Sequence, residues 1–139
     1  LLGRMYARGQ GVTQDFQQAV KWYQLGAEQG NSLAQYDLGL SYFTGKGVPQ
    51  DFVFSHKWLN LAAAQGVKEA INFRDSLARK MTSSQLAEAQ KLAREFKSKP
   101  DNQLKEAVQE MLQRLKQGKP LIDNSLKRSK KEKPKKENP

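Results

Sequence analysis

The strongest constraint on this chain is an internal repeat that needs no gaps. Shifted by 36 residues, Leu2–Ala34 lies over Leu38–Ala70 with 16 of 33 positions identical. The matches include Leu2/Leu38, Gly3/Gly39, Tyr6/Tyr42, Gly9/Gly45, Gly11/Gly47, Gln14/Gln50, Asp15/Asp51, Phe16/Phe52, Trp22/Trp58 and Gly30/Gly66. A period of this size marks stacked supersecondary units, which bury their apolar faces on one another and leave an extended surface for partners.

The complete unit, Asn31 to Gly66, reads as a helix–loop–helix hairpin. From Ser32 to Phe43, Leu33, Ala34, Tyr36, Leu38, Leu40, Tyr42 and Phe43 have helical spacing with a broad apolar face. Gly39 stands in mid-helix, where it costs about 1 kcal/mol relative to Ala. Its recurrence at Gly3 predicts that a second helix crosses there closely. Gly45, Gly47 and Pro49 break the helix. Asp51 is then placed to cap a second helix running to about Gln65, with Phe52, Trp58, Leu59, Ala62 and Ala63 facing the core. Gly66 ends it as a left-handed residue.

These residues resemble the Sel-1-like repeat family, a relative of the tetratricopeptide repeats. Its pattern is similar to L-G-x-x-Y-x-x-G-x-G-V-x-x-D-[FY]-x-x-A-x-x-W-[YL]-x-x-A-A-x-x-G-[ND]. Here it reads LGRMYARGQGVTQDFQQAVKWYQLGAEQGN and LGLSYFTGKGVPQDFVFSHKWLNLAAAQGV. Ser55 departs from the usual alanine, Gly26 from the first of the paired alanines, and Val67 from the usual Asn. The resemblance implies an all-α, right-handed α-α superhelix that binds proteins rather than catalysing a reaction. It also implies roles in assembling complexes, in envelope or stress signalling, or in host interaction.

After Gly66 the pattern decays. Lys68 begins a third unit, but Arg74-Asp75 stands where Leu-Gly is due, and no Gly-x-Gly follows. Thr82 and Gln85 have capping-box spacing, and Leu86, Ala89, Ala93 and Phe96 line one face of the helix they open. This ending resembles that of many bacterial Sel-1-like proteins, and physically it is a capping helix that closes a solenoid. After Pro100, with Asp101 as a cap, Leu104, Ala107, Val108, Met111, Leu112 and Leu115 recur at helical spacing. This last helix is expected to pack on the capping helix; the alternative is a partner-binding or self-association helix. The expected organisation is therefore repeats over 1–80, capping helices over 81–118 and a basic disordered tail over 119–139. Leu1 aligns with Asp37, inside a helix, so the chain is expected to be the closing end of a longer protein.

The residues also exclude several classes of chemistry. The chain of 139 residues contains no cysteine and one histidine, His56, which leaves no thiolate metal site and no second imidazole. Neither a cofactor nor a small-molecule substrate is expected. Asp15 and Asp51 sit one repeat apart and read as helix caps rather than catalytic carboxylates. The Gly-x-Gly pairs follow helices rather than strands, which argues against a nucleotide loop. Trp22, Trp58, Tyr6 and Tyr42 recur in register and read as packing. No apolar run approaches the roughly 18–20 residues needed to span a bilayer, and the compartment stays open between cytoplasm and periplasm or secretion.

Two partner hypotheses remain. In the first, a protein or peptide binds along the first helices, through positions expected to face solvent such as Gln35, Asp37 and Ser41. In the second, the repeats are a platform, and Lys127, Arg128, Lys130, Lys131, Lys133, Lys135 and Lys136 tether the chain to nucleic acid or an anionic membrane. The stretch 127–139 holds seven Lys or Arg against two Glu, which is +5 of the formal net charge of +10.

Overall fold

The computed structural model describes residues 2–99 and 102–118. Among them are seven helices and no strand: α1 (Leu2–Arg8), α2 (Phe16–Glu28), α3 (Ser32–Thr44), α4 (Phe52–Ala64), α5 (Lys68–Ala78), α6 (Ser83–Arg94) and α7 (Asn102–Lys116). The chain divides into two compact units after Lys105. In the first, α1 packs on α2, α2 on α3 and α3 on α4, while α4 also receives α5 and α6. The repeat therefore folds as successive hairpins, and α4 is the helix on which the closing elements converge.

Each hairpin is built at three points, all set by residues that recur. The first is the crossing. A Cβ on Gly39 would stand 2.8 Å from Leu59 Cγ and 3.2 Å from the Leu59 backbone nitrogen, so α4 passes where only glycine leaves room. Gly3 makes the same allowance for the Tyr23 ring and the Ala19 carbonyl. Ser55, the departure from alanine, is fully buried and donates its hydroxyl to the Gly39 carbonyl at 2.7 Å. A buried hydroxyl left unpaired would destabilise the fold, and this bond satisfies it.

The second point is the loop. Helix C-termini leave carbonyls without intrahelical partners. Gln14 Nε2 donates to the Ala7 carbonyl and Gln50 Nε2 to the Phe43 carbonyl, at 2.8 and 2.9 Å. The adjacent backbone N–H groups of Asp15 and Asp51 donate to Tyr6 and Tyr42. Both Asp side chains then cap the following helix, accepting from the backbone N–H of Gln18 and Phe54.

The third point is the exit. Gly30 and Gly66 have positive φ, and each sits in a Schellman turn. Gly30 N–H bonds Ala27 and Asn31 N–H bonds Gly26; one unit later Gly66 bonds Ala63 and Val67 bonds Ala62.

The core at the closing end comprises Leu59, Ala62, Ala63, Ala70 and Leu77, with Tyr36, Phe43, Phe52, Val67 and Met81 packed around it. Phe52 faces this core as expected and packs against it half-buried. The Thr82–Gln85 capping box forms in both directions. Ala89 and Ala93 of α6 are buried, and the Phe96 ring meets Trp58 edge-on with centroids 5.5 Å apart. Beyond α6 the chain returns to the first hairpin, where Lys99 N–H donates to the Glu28 carbonyl at 2.7 Å and its ammonium pairs with the Glu28 carboxylate. Asp101, Pro120 and the seven basic residues from Lys127 to Lys136 lie outside the described residues.

Gly11 and Gly47 occupy the same repeat position with nearly equal φ, +73° and +77°. Gly47 lies against the Phe16 backbone carbonyl and the Val20 side chain, whereas Gly11 has only Met5 Cε near it, at 3.8 Å. Substituting Ala at either position forces a left-handed non-glycine residue, which costs about 1–2 kcal/mol. Only at Gly47 does the new methyl also meet backbone. Denaturant unfolding is expected to show Gly47→Ala less stable than Gly11→Ala by roughly 1–3 kcal/mol.

Candidate functional site

The three positions expected to face solvent along α3 do not do so freely. Gln35 is 1% exposed and Ser41 is 8% exposed. Gln35 is instead the centre of a polar ladder between units. Its Nε2 donates to the Ala27 carbonyl at 3.2 Å, and its Oε1 accepts from Gln65 Nε2 at 2.8 Å, which also reaches the Gly30 carbonyl. The C-terminal carbonyls of α2 thus find their partners in the next hairpin. Ser41 turns its hydroxyl back to the Asp37 carbonyl. Asp37 is held by Arg4 of α1, at 2.7 Å to Nε with a second contact at 3.2 Å from the guanidinium. That hydrogen bond is the main cause holding the Arg4 pKa above its ordinary value. Nearby, burial pushes the Tyr23 phenol up to about 12.

What the first helices present instead is apolar and aromatic. On α3, Leu33 is 42% exposed, and Tyr36 and Leu40 follow it at one-turn spacing, both half-buried. On α5, Phe73 occupies the repeat position of Asp37 and Glu69 that of Leu33. Phe73 is 38% exposed, and its ring meets Tyr36 and Phe43 edge-on at 6.2 and 6.3 Å. Burial raises the Tyr36 phenol pKa, and the fields of Glu69 and Asp37 add to the effect. The first-helix face therefore carries an Arg4–Asp37 ion pair beside a Tyr36–Phe73 aromatic step, bordered by Leu33 and Glu69.

The other candidates resolve into architecture. Tyr6 and Trp58 are buried, while Trp22 and Tyr42 are half-buried, the latter against Phe54. An open hollow of about 340 Å³ lies beside Gln50, Asp51, Phe52, Val53 and Gln85. Its polar side chains are already used, Gln50 on Phe43, Asp51 on Phe54 and Gln85 on Thr82. Among the described residues no cluster of His, Asp and Glu is arranged to hold a metal, and none of their helices is long and apolar enough to cross a membrane.

The Sel1 repeat model matches residues 1–31 and 32–67. The chain belongs to the Sel1 repeat family. Solved structures that share its fold include the following two. One is a protective antigen present in uropathogenic Escherichia coli strains and displaying an SLR fold, 35% identical over 68% of this chain with a TM-score of 0.65. The other is a Sel1 repeat protein from Oxalobacter formigenes, 31% identical over 69% of this chain with a TM-score of 0.55. The chain spans 21% and 42% of the lengths of those two proteins. No curated protein sequence matches it significantly. The solenoid expected from the 36-residue period is thus the fold of this Sel1 chain.

His56 of the second Sel1 unit takes the place of Val20 in the first, and it is 4% exposed with no hydrogen-bond partner at Nδ1. Burial, and secondarily the positive charge of Arg74, lower its pKa below the ordinary 6.5, against a smaller opposing effect of Asp75. The folded state therefore binds this proton less readily than the unfolded chain. The stability that goes with neutral His56 is complete above pH 6.5 and is lost as the pH falls below that value toward the depressed folded pKa. One such group gives a slope of at most about 1.4 kcal/mol per pH unit. Urea unfolding between pH 7 and 5 is expected to show a shallower loss of stability for His56→Val than for the parent chain.

Proposed function

We propose that this chain is a non-enzymatic interaction scaffold that holds a protein or peptide against the first helices of its Sel1 units. The observation that carries the reading is the aromatic step of Phe73 on Tyr36. Just before Arg74-Asp75, where the repeat pattern decays, Phe73 sets a large ring, over a third exposed, against Tyr36, which lies one helical turn from Leu33. Rings of this kind supply contact area at low entropic cost and are enriched where interfaces concentrate their binding energy. The Arg4–Asp37 pair beside the rings gives an incoming segment a charged edge to orient against.

Membership supports the same reading, since Sel1 repeat proteins generally act as interaction scaffolds. The binding surface shifts from the positions first expected. Gln35 ties neighbouring units together, Ser41 is buried with its hydroxyl turned back onto its own helix, and Asp37 contributes as half of an ion pair rather than as a free carboxylate.

The test is affinity capture with the full chain and with Phe73→Glu, with thermal unfolding as the folding control. Phe73 also packs on Tyr36 and Phe43, so the substitution is expected to lower the melting transition by several degrees while the chain still unfolds cooperatively, and capture is compared below that transition. Retained proteins are expected to include at least one released by Phe73→Glu and kept by Phe54→Glu, which alters an exposed ring on a second helix. Identical retention by all three chains contradicts the proposal.

A further inference from the structure

We infer that α7 lies flat on an anionic lipid bilayer, inserting Leu112 and Leu115 and setting its basic residues against the headgroups. At about 100° per residue, Ala107, Val108, Met111, Leu112 and Leu115 fall within one arc of about 140°. Leu112 is 48% exposed and Leu115 is 51% exposed, the two most open large apolar side chains among the described residues. The order of charges around the helix is what selects a bilayer. Lys105 and Lys116 border the apolar arc on one side and Arg114 borders it on the other, while Glu106 and Glu110 lie on the far side with Gln113 and Gln117. Glu110 keeps an ion pair with Arg114, at 3.3 Å.

That order suits a helix lying in the plane of a membrane. Apolar side chains enter the acyl boundary, long basic side chains extend sideways to the phosphates, and carboxylates face water. The fifteen residues of α7 make about four turns, enough to lie in the interface and too few to cross it. The sequence that follows adds the second attraction a reversible anchor needs, because residues 127–139 carry a net +5. Nucleic acid would use the basic residues and leave the leucines in water. A second copy of α7 would bury the leucines but set basic flanks against basic flanks, because Lys105 and Lys116 border one side of the apolar arc and Arg114 the other. A bilayer with anionic headgroups uses both. This inference is independent of the first-helix face, and substitutions at Phe73 do not touch it.

The full chain is tested by co-sedimentation with vesicles of phosphatidylcholine alone and of phosphatidylcholine mixed with phosphatidylglycerol, at low and high salt. The parent is expected to bind the mixed vesicles, less in high salt, and to bind neutral vesicles weakly. The variant carrying Leu112→Gln and Leu115→Gln keeps residues that favour helix and keeps every charge. It is expected to bind mixed vesicles more weakly by about tenfold per leucine. A second variant, Lys105→Gln with Lys116→Gln, keeps the leucines and is expected to lose the preference for mixed over neutral vesicles in part. Three results overturn the inference: no binding to mixed vesicles; equal binding by the leucine variant, which assigns binding to the basic segment alone; or salt-sensitive capture of duplex DNA, under conditions where vesicles are not bound. A dimer that the leucine variant converts to monomer, without vesicle binding by the parent, overturns it in favour of self-association.

Discussion

The fold depends on the absence of a side chain at Gly39. Its missing Cβ lets α4 approach α3 until Leu59 fills the space, and that approach brings Ser55 within 2.7 Å of the Gly39 carbonyl. Once α4 is fixed there, its other faces become the bed for α5 and α6, and Leu59 itself belongs to the core that they close. The same arrangement at Gly3 sets α2 on α1. A glycine in mid-helix costs about 1 kcal/mol of helix stability. The close packing that it admits has to outweigh this, and dispersion contacts summed over a buried leucine are of sufficient size.

A second constraint is the accounting of helix ends. Short hairpins present many C-terminal carbonyls, and each needs a donor. The Sel1 pattern supplies them from residues that look like ordinary polar surface. Gln14 and Gln50 close the first helices, the Gly30 and Gly66 turns close the second, and Gln35, Gln65 and Lys99 reach the end of α2 from later parts of the chain. Stability and connectivity are thereby linked, because the end of one hairpin is satisfied by the next.

Much of this was legible in the sequence for a physical reason. A glycine, a capping Asp or a Thr82–Gln85 box acts through local backbone geometry, so its position states its role. Gln35 was misjudged because helical periodicity assigns a polar side chain outward, and nothing local shows that a carbonyl of the previous hairpin waits for it. Phe73 was missed as a surface residue because it lies where the pattern decays, and its exposure follows from what does not cover it. The return of Lys99 to Glu28 joins positions 71 residues apart, and no local pattern encodes it.

The central claim is that the α3–α4 crossing is set by the empty position at Gly39 against Leu59. It is tested most directly by a double-mutant cycle of Gly39→Ala and Leu59→Ala, measured by urea unfolding. The account predicts that each single substitution destabilises. The double variant should lose less than the sum by about 1 kcal/mol or more, because truncating Leu59 makes room for the new methyl. Strict additivity, or a Gly39→Ala chain stabilised by its better helix former, would contradict it.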